Sequence, residues 1–269
     1  MVIDFHTHVW PDKIARATVN KLKQMGNIPA YSDGTVSGLI TSMKAARVDL
    51  SIILPVVTRP EQFDTINRFA VKMNEQEGVM SFGGIHPKNI DVEEKLEFIK
   101  SLGLKGIKLH PAYQETYIDE EPYQRIIDYA LKIGLIVSVH AGLDVGLPDP
   151  IYCTPDRICK LYERLGLDKQ EENKLIFAHT GGYACWKEVY EQLAGKKIYF
   201  DCSTTLGIIE DALFVQIVRR HGTNRIVFGS DFPWKPQKEM IDYLNKIGLT
   251  EGETEDIMWR TAKKLLEEI

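Results

Sequence analysis

The chain has 269 residues, of which 44% are hydrophobic and 26% charged, with a formal net charge of −5. That balance gives no basic surface for nucleic acid or anionic lipid, and no run of about 18 apolar residues reads as a membrane span. The N-terminus, MVIDFHTHVW, lacks the basic start and apolar run of a signal peptide, so a cytoplasmic protein is expected.

In chain order, short β-branched runs fall at 2–9, 50–57, 79–86, 104–110, 135–141, 174–179, 197–203 and 225–231. Between them lie segments with helical spacing, such as VEEKLEFIKSLG, EPYQRIIDYALKIG and EDALFVQIVRRHG, and a last helix is predicted over 254–268. Gly103, Gly134 and Gly222 stand where helix ends favour a left-handed residue. Eight strand–helix units in one chain of this length predict a single α/β domain over 1–269, a (β/α)8 TIM barrel. An open doubly wound sheet would usually carry a Gly-x-Gly-x-x-Gly turn after its first strand, and none is present. The irregular stretch 25–35 is a candidate lid, and 142–155 a candidate entrance loop. Cys153, Cys159, Cys185 and Cys202 form no Cys-x-x-Cys pair and read as reduced thiols, with Cys185 the one candidate nucleophile.

Six of the seven histidines end a predicted strand: His6 and His8 the first, His86 the third, His110 the fourth, His140 the fifth and His179 the sixth. Strand ends make up roughly a tenth of such a chain, so chance would place about one there. In a barrel these ends form the face where chemistry is done. Strand alternation puts Asp4, His6 and His8 on one side, opposite Ile3, Phe5 and Thr7, and turns Lys108, His110, Ser138 and His140 inward. Asp231 ends the eighth strand, which closes beside the first, so His6, His8 and Asp231 should meet with His140 facing them. Imidazoles and a carboxylate on one wall are a ligand set for a divalent ion, Zn²⁺ first and Mn²⁺ second. Such an ion activates water for hydrolysis, Asp231 can carry the proton, and His179 can hydrogen-bond a developing oxyanion or the attacking water.

The motifs DFHTH, GIKLHP, VSVHAG, AHTGGY and GSDFPW, in that order, resemble the amidohydrolase superfamily, and most closely amidohydrolase family 2. The resemblance implies metal ligands at His6, His8, His140 and Asp231, a catalytic or ligand role for His179, and a proton shuttle at Asp231. Relatives with two ions carry a carboxylated lysine on the fourth strand. Lys108 is therefore either that bridge or an uncarboxylated lysine that binds a substrate carboxylate or pairs with Asp4, and one or two ions are expected. His110, Trp10, Tyr113, Trp186 and Trp234 are expected to contact substrate, while His86 either does the same or caps its strand. The first functional reading is a metal-dependent hydrolase of a small polar amide, lactone or related substrate. The alternative is a nonoxidative decarboxylase of the aminocarboxymuconate-semialdehyde decarboxylase type, and a ligand-binding barrel without catalysis ranks third. The only partner expected is a small-molecule substrate, with a homo-oligomer left open.

Overall fold

A computed structural model describes residues 1–170 and 173–267. Its strands are β1 (Ile3–Thr7), β2 (Leu50–Ile53), β3 (Val79–Ser81), β4 (Gly83–Gly84), β5 (Gly106–Leu109), β6 (Ile136–Val139), β7 (Leu175–Phe177), β8 (Tyr199–Asp201) and β9 (Ile226–Val227). The helices are α1 (Asp12–Gly26), α2 (Val36–Ala46), α3 (Phe63–Met73), α4 (Val92–Ser101), α5 (Glu121–Lys132), α6 (Pro155–Arg164), α7 (Trp186–Glu188), α8 (Asp211–His221), α9 (Gln237–Leu244), α10 (Glu251–Glu255) and α11 (Thr261–Glu267). Every strand pair is parallel, and neighbours follow chain order. β3 and β4 are one barrel strand interrupted at Phe82, whose N–H still reaches the Ile53 carbonyl at 2.9 Å.

The ring closes through β1. Phe5 N donates to Phe228 O (2.8 Å), Asp231 N to His6 O (2.8 Å) and His8 N to Phe232 O (2.7 Å). This is the (β/α)8 barrel that the alternation predicted. The helices form because each carries an apolar stripe: α5 buries Tyr123, Ile126, Ile127 and Ala130, at the spacing of one helical face. Gly134 just beyond α5 takes φ +87°, the left-handed conformation expected there. The predicted last helix spans α10 to α11 with a π-helical turn at Asp256–Arg260, and its predicted final residue, 268, lies outside the described residues.

Two apolar layers hold the ring. Ile107, Leu109, Val137, Val139, Leu175, Phe177, Phe200 and Phe228 pack outward against the helices. Ile3, Phe5, Ile52, Leu54, Phe82, Ile136, Ile176 and Val227 fill the barrel floor, closed below by Ala262 and Leu265 of α11. This corrects the predicted parity of β1, which had Ile3 and Phe5 facing the helices and Asp4 sharing the face of His6. A bulge lies between Asp4 and Thr7, since Asp4 pairs with Ser51 and Thr7 with Ile53. The extra residue switches the face of the strand midway, so Phe5 plugs the floor while His6 still enters the site.

Asp4 is instead held by Ser230 Oγ (2.6 Å), Ser230 N (2.9 Å) and Gln237 Nε2 (2.7 Å). Burial pushes its pKa up to about 6. It ties β1 to the turn that carries Asp231 and does not pair with Lys108, contrary to one of the alternatives above. No helix among the described residues is long and apolar enough to cross a membrane.

Candidate metal centre

The upper barrel is polar because each strand end delivers its last inward residue there. His6 Nδ1 donates to Asp201 Oδ2 (2.8 Å) and His8 Nδ1 to the Leu54 carbonyl (2.8 Å). Each ring therefore uses Nδ1 as its donor, and in the neutral ring Nε2 carries a lone pair. The two Nε2 atoms lie 3.1 Å apart, and Asp231 Oδ1 sits 3.3 Å from His8 Nε2 and 3.6 Å from His6 Nε2. Two lone pairs and a carboxylate oxygen this close repel one another unless a cation or a shared proton lies among them. Ligands at 2.0–2.1 Å around a tetrahedral ion stand about 3.3 Å apart, so the residues present fit a divalent ion.

The backbone is shaped for this. Asp231 has φ +66°, His179 +59° and Thr180 +55°, left-handed conformations rare for such residues and common at functional sites. Thr204 Oγ1 donates to Asp231 Oδ2, which leaves Oδ1 for the cluster. Burial opposes ionisation of Asp231, but its contacts with His8, His6 and His179 outweigh it and hold the carboxyl well below the usual range. Burial lowers the His6 pKa to about 4, with Lys108 adding to the effect.

Lys108 is fully buried, and its Nζ lies 3.3 Å from His6 Nε2. Burial pulls its pKa down to about 8, against the opposing pull of Asp201 and Asp231. His140 and His179 are also brought in, as a second arc. His179 Nδ1 donates to Ser203 O (3.0 Å), and His140 Nδ1 lies 3.0 Å from His179 Nε2. Among the described residues, the groups with ligand atoms in mutual reach are His6–His8–Asp231, His6–His179–Asp201 and His110–His140–Asp144. His140 stands between His179, 3.0 Å away, and His110, on which its ring stacks at 4.1 Å, facing the His6–His8–Asp231 group across the barrel mouth.

The expected substrate contacts separate. Trp10 packs 6.3 Å from the His8 ring and 6.3 Å from Trp234, making a wall beside His8. The candidate lid is tied to that wall, with Trp10 N donating to Gly34 O and Tyr31 N to Pro233 O. Tyr113 packs on His110 at 4.5 Å. Trp186 braces the strained His179 turn by donating from Nε1 to the His179 carbonyl (3.0 Å). His86 caps its own loop: its N–H donates to Asn89 Oδ1, and its Nδ1 accepts from Lys88 N. Burial pushes the Cys185 thiol up, the reverse of what a nucleophilic thiolate needs.

Sequence reasoning missed Asp201, Ser203 and Asp144. The first two alternate on the seventh predicted strand, and that spacing was the available signal. Asp201 Oδ1 accepts from His179 N (3.1 Å), Ser203 N (3.0 Å) and Ser203 Oγ. Asp144 lies in the loop after β6, where no periodicity marks it.

The chain matches the amidohydrolase family over residues 3–267. No curated protein matches it. In structure it is similar to an uncharacterized TIM-barrel protein of Bordetella bronchiseptica, at 15% identity and a TM-score of 0.77, covering 99% of this chain and 98% of that one. It is also similar to 2,6-dihydroxybenzoate decarboxylase from Rhizobium, at 12% identity, a TM-score of 0.69 and coverage of 99% and 98%. A third is 5-carboxyvanillate decarboxylase from Novosphingobium aromaticivorans, solved with manganese and 4-hydroxy-3-methoxy-5-nitrobenzoic acid, at 13% identity, a TM-score of 0.72 and coverage of 99% and 96%. These likenesses agree with the barrel topology, and the match over nearly its whole length means that the chain belongs to the amidohydrolase family.

Proposed function

We propose that this protein is a metal-dependent lyase that removes CO₂ from a small carboxylic acid without oxidation. The observation that carries the reading is Lys108, a buried cation 3.3 Å from His6 Nε2 with its pKa lowered to about 8. There it can receive a substrate carboxylate, and at neutral pH it still holds a proton acidic enough to transfer. That placement favours an uncarboxylated Lys108. The decarboxylase activity named for two structural neighbours, one of them with manganese, supports the same reading.

His6, His8 and Asp231 would hold the ion, zinc or manganese, which supplies Lewis-acid polarisation of a substrate oxygen. Asp201 and the Leu54 carbonyl orient the two rings. Lys108 pairs with the carboxylate, and after the C–C bond breaks it places a proton on the carbon that CO₂ has left. Trp10 and Trp234 screen the His8 side of the pocket from water.

Hydrolysis of an amide or lactone is the second reading. It is favoured by Asp231 Oδ1, an ionised carboxylate oxygen 3.3 Å from His8 Nε2 and so beside the ion that these residues would hold. The deciding experiment incubates metal-loaded protein with a panel of aromatic and aliphatic carboxylic acids and, in parallel, with amides and lactones. The expected result is CO₂ release from at least one acid, lost in Lys108→Met. Hydrolysis of an amide or lactone with no CO₂ from any acid would overturn the proposal.

A further inference from the structure

Catalytic barrels take their ligands through the face formed by the strand ends, so the residues gathered there should meet solvent. Yet none of His6, Lys108, His110, His140, His179 and Asp231 is more than 8% exposed. Two segments cover them. The first is α1 with the stretch 27–35. β1 is followed by two helices: α2 buries Leu39, Met43 and Ala46, whereas α1 buries only Ala15 and Val19 of its 15 residues. α1 is therefore an addition to the barrel repeat, and the stretch beyond it returns to Trp10 on the His8 wall. The second is the loop after β6, which sets Asp144 Oδ2 3.5 Å from His110 Nε2.

The two segments meet edge to edge. A Cβ on Gly26 would stand 3.0 Å from Val145 Cγ2, and one on Gly146 would stand 3.7 Å from Met25 Cβ. Met25 and Val145 are both exposed, so this join lies at the surface. Among the described residues no hydrogen bond or ion pair crosses it.

Their anchorage differs. The stretch 27–35 is bonded to the barrel by Trp10 N to Gly34 O (2.9 Å) and Tyr31 N to Pro233 O (2.8 Å). The loop after β6 is bonded only at its base, by Gly142 N to Cys153 O (2.8 Å), Leu143 N to Tyr183 O (3.0 Å) and Ile118 N to Tyr152 O (3.1 Å). Over 144–151 the bonds are internal: Asp144 Oδ1 accepts from Gly146 N (2.8 Å) and Leu147 N (3.0 Å). This tip is a self-held turn on two stems. Its polar hold on the barrel is the contact with His110, whose Nδ1 accepts from Tyr113 N (3.4 Å) and whose Nε2 proton therefore points at Asp144 Oδ2. At 3.5 Å that contact is longer than a full hydrogen bond, and segments with so few bonds to their surroundings open first.

We propose that the turn 144–151 is the moving leaf of a gate over the barrel mouth, swinging on Gly142 and Cys153 away from the fixed leaf at Met25–Ile28 to admit the ligand. The proposal rests on the reading of this mouth as the ligand site. Opening takes Asp144 away from His110 and closing returns it, so the polar set at the mouth is complete only in the shut state.

The test locks the gate with Met25→Cys/Gly146→Cys. The 3.7 Å between the two Cβ positions matches the roughly 3.8 Å usual in a disulfide. Diamide removes one hydrogen from each thiol to form the bond, and a phosphine reductant reverses it; the native protein with its own four cysteines is treated alongside. The first readout is carbethoxylation of His8 and His140 by diethyl pyrocarbonate in the metal-free protein, followed by mass spectrometry. The second is the rate of Zn²⁺ uptake. Locking should slow both by about tenfold or more, because a reagent that enters only through the open state depends on its population. Reduction should restore both rates, and the native protein should respond to neither treatment. Val145→Ser, at an exposed position, thins the join without a crosslink and should speed carbethoxylation severalfold. Failure of the disulfide to form, equal rates in the locked and reduced forms, or a native rate in Val145→Ser would overturn the proposal. Shielding of His8 and His140 in a protein that takes up no Zn²⁺ supports the gate and removes the metal reading. Normal Zn²⁺ uptake with no shielding removes the gate and leaves the metal reading standing.

Discussion

Replacing Asp201 with Asn changes one atom and should disable the metal centre through His6. In the native protein Asp201 Oδ1 accepts from two backbone N–H groups, His179 at 3.1 Å and Ser203 at 3.0 Å, while Oδ2 accepts from His6 Nδ1 at 2.8 Å. An Asn amide can keep its carbonyl on the backbone donors or turn it toward His6, but not both. Turning it sets an NH₂ against two N–H groups and leaves them unsatisfied, at about 1–3 kcal/mol each. The NH₂ therefore faces His6, whose Nδ1 must become the acceptor and whose proton moves to Nε2. That proton then points at His8 Nε2, 3.1 Å away, where it makes a hydrogen bond in place of the lone pair that the ion needs. Removing a partner of this kind weakens metal affinity by about 10–100-fold, or about 1.4–2.7 kcal/mol. The metal-free variant should melt no lower than the metal-free native protein, because a repulsive pair of lone pairs has become a hydrogen bond. Chelator-competition titration with Zn²⁺ and Mn²⁺, alongside thermal melts of both apo proteins, measures the two effects. Native metal affinity in Asp201→Asn would refute the tautomer argument.

Asp231→Asn replaces one of the three groups that would hold the ion, so it should weaken Zn²⁺ and Mn²⁺ affinity and lower turnover by about two or more orders of magnitude; near-native affinity and turnover would remove Asp231 from the site. His221 gives a pH prediction remote from the site. Its ring stacks on Phe200 at 3.9 Å, donates from Nε2 to Ile198 O (2.9 Å) and accepts at Nδ1 from Gly195 N (3.2 Å). Burial lowers its pKa to about 3, so the unfolded chain binds the proton more readily. The stability it contributes is complete above about pH 6.5 and falls as pH drops from there toward 3, by about 2 kcal/mol between pH 7 and pH 5. Urea titrations at the two pH values should show a shallower loss in His221→Gln, and equal losses in both proteins would refute it. Gly142→Ala places a methyl 2.2 Å from Tyr183 N at φ +81°, so the bridge between these loops must open. The thermal midpoint should fall by several degrees, and an unchanged midpoint would show that the loop yields freely.

The sequence alone determined the barrel, because alternation of strand and helix is written in local periodicity and each unit packs against the next. It also placed six histidines and Asp231 at strand ends, since the end of a strand is a local property too. Only the tertiary structure decided which of them meet. Parity counting assumes a regular ladder, and β1 pairs with β2 on one side and the chain beyond β9 on the other, with a bulge that turns Asp4 away and keeps His6 in. A strand number fixes His140's angle around the barrel, but only the tertiary structure sets the rotamer that stacks it on His110. Asp201 and Asp144 gain their places from partners far away in sequence or from a loop, whose course follows from tertiary contacts and carries no periodic signal.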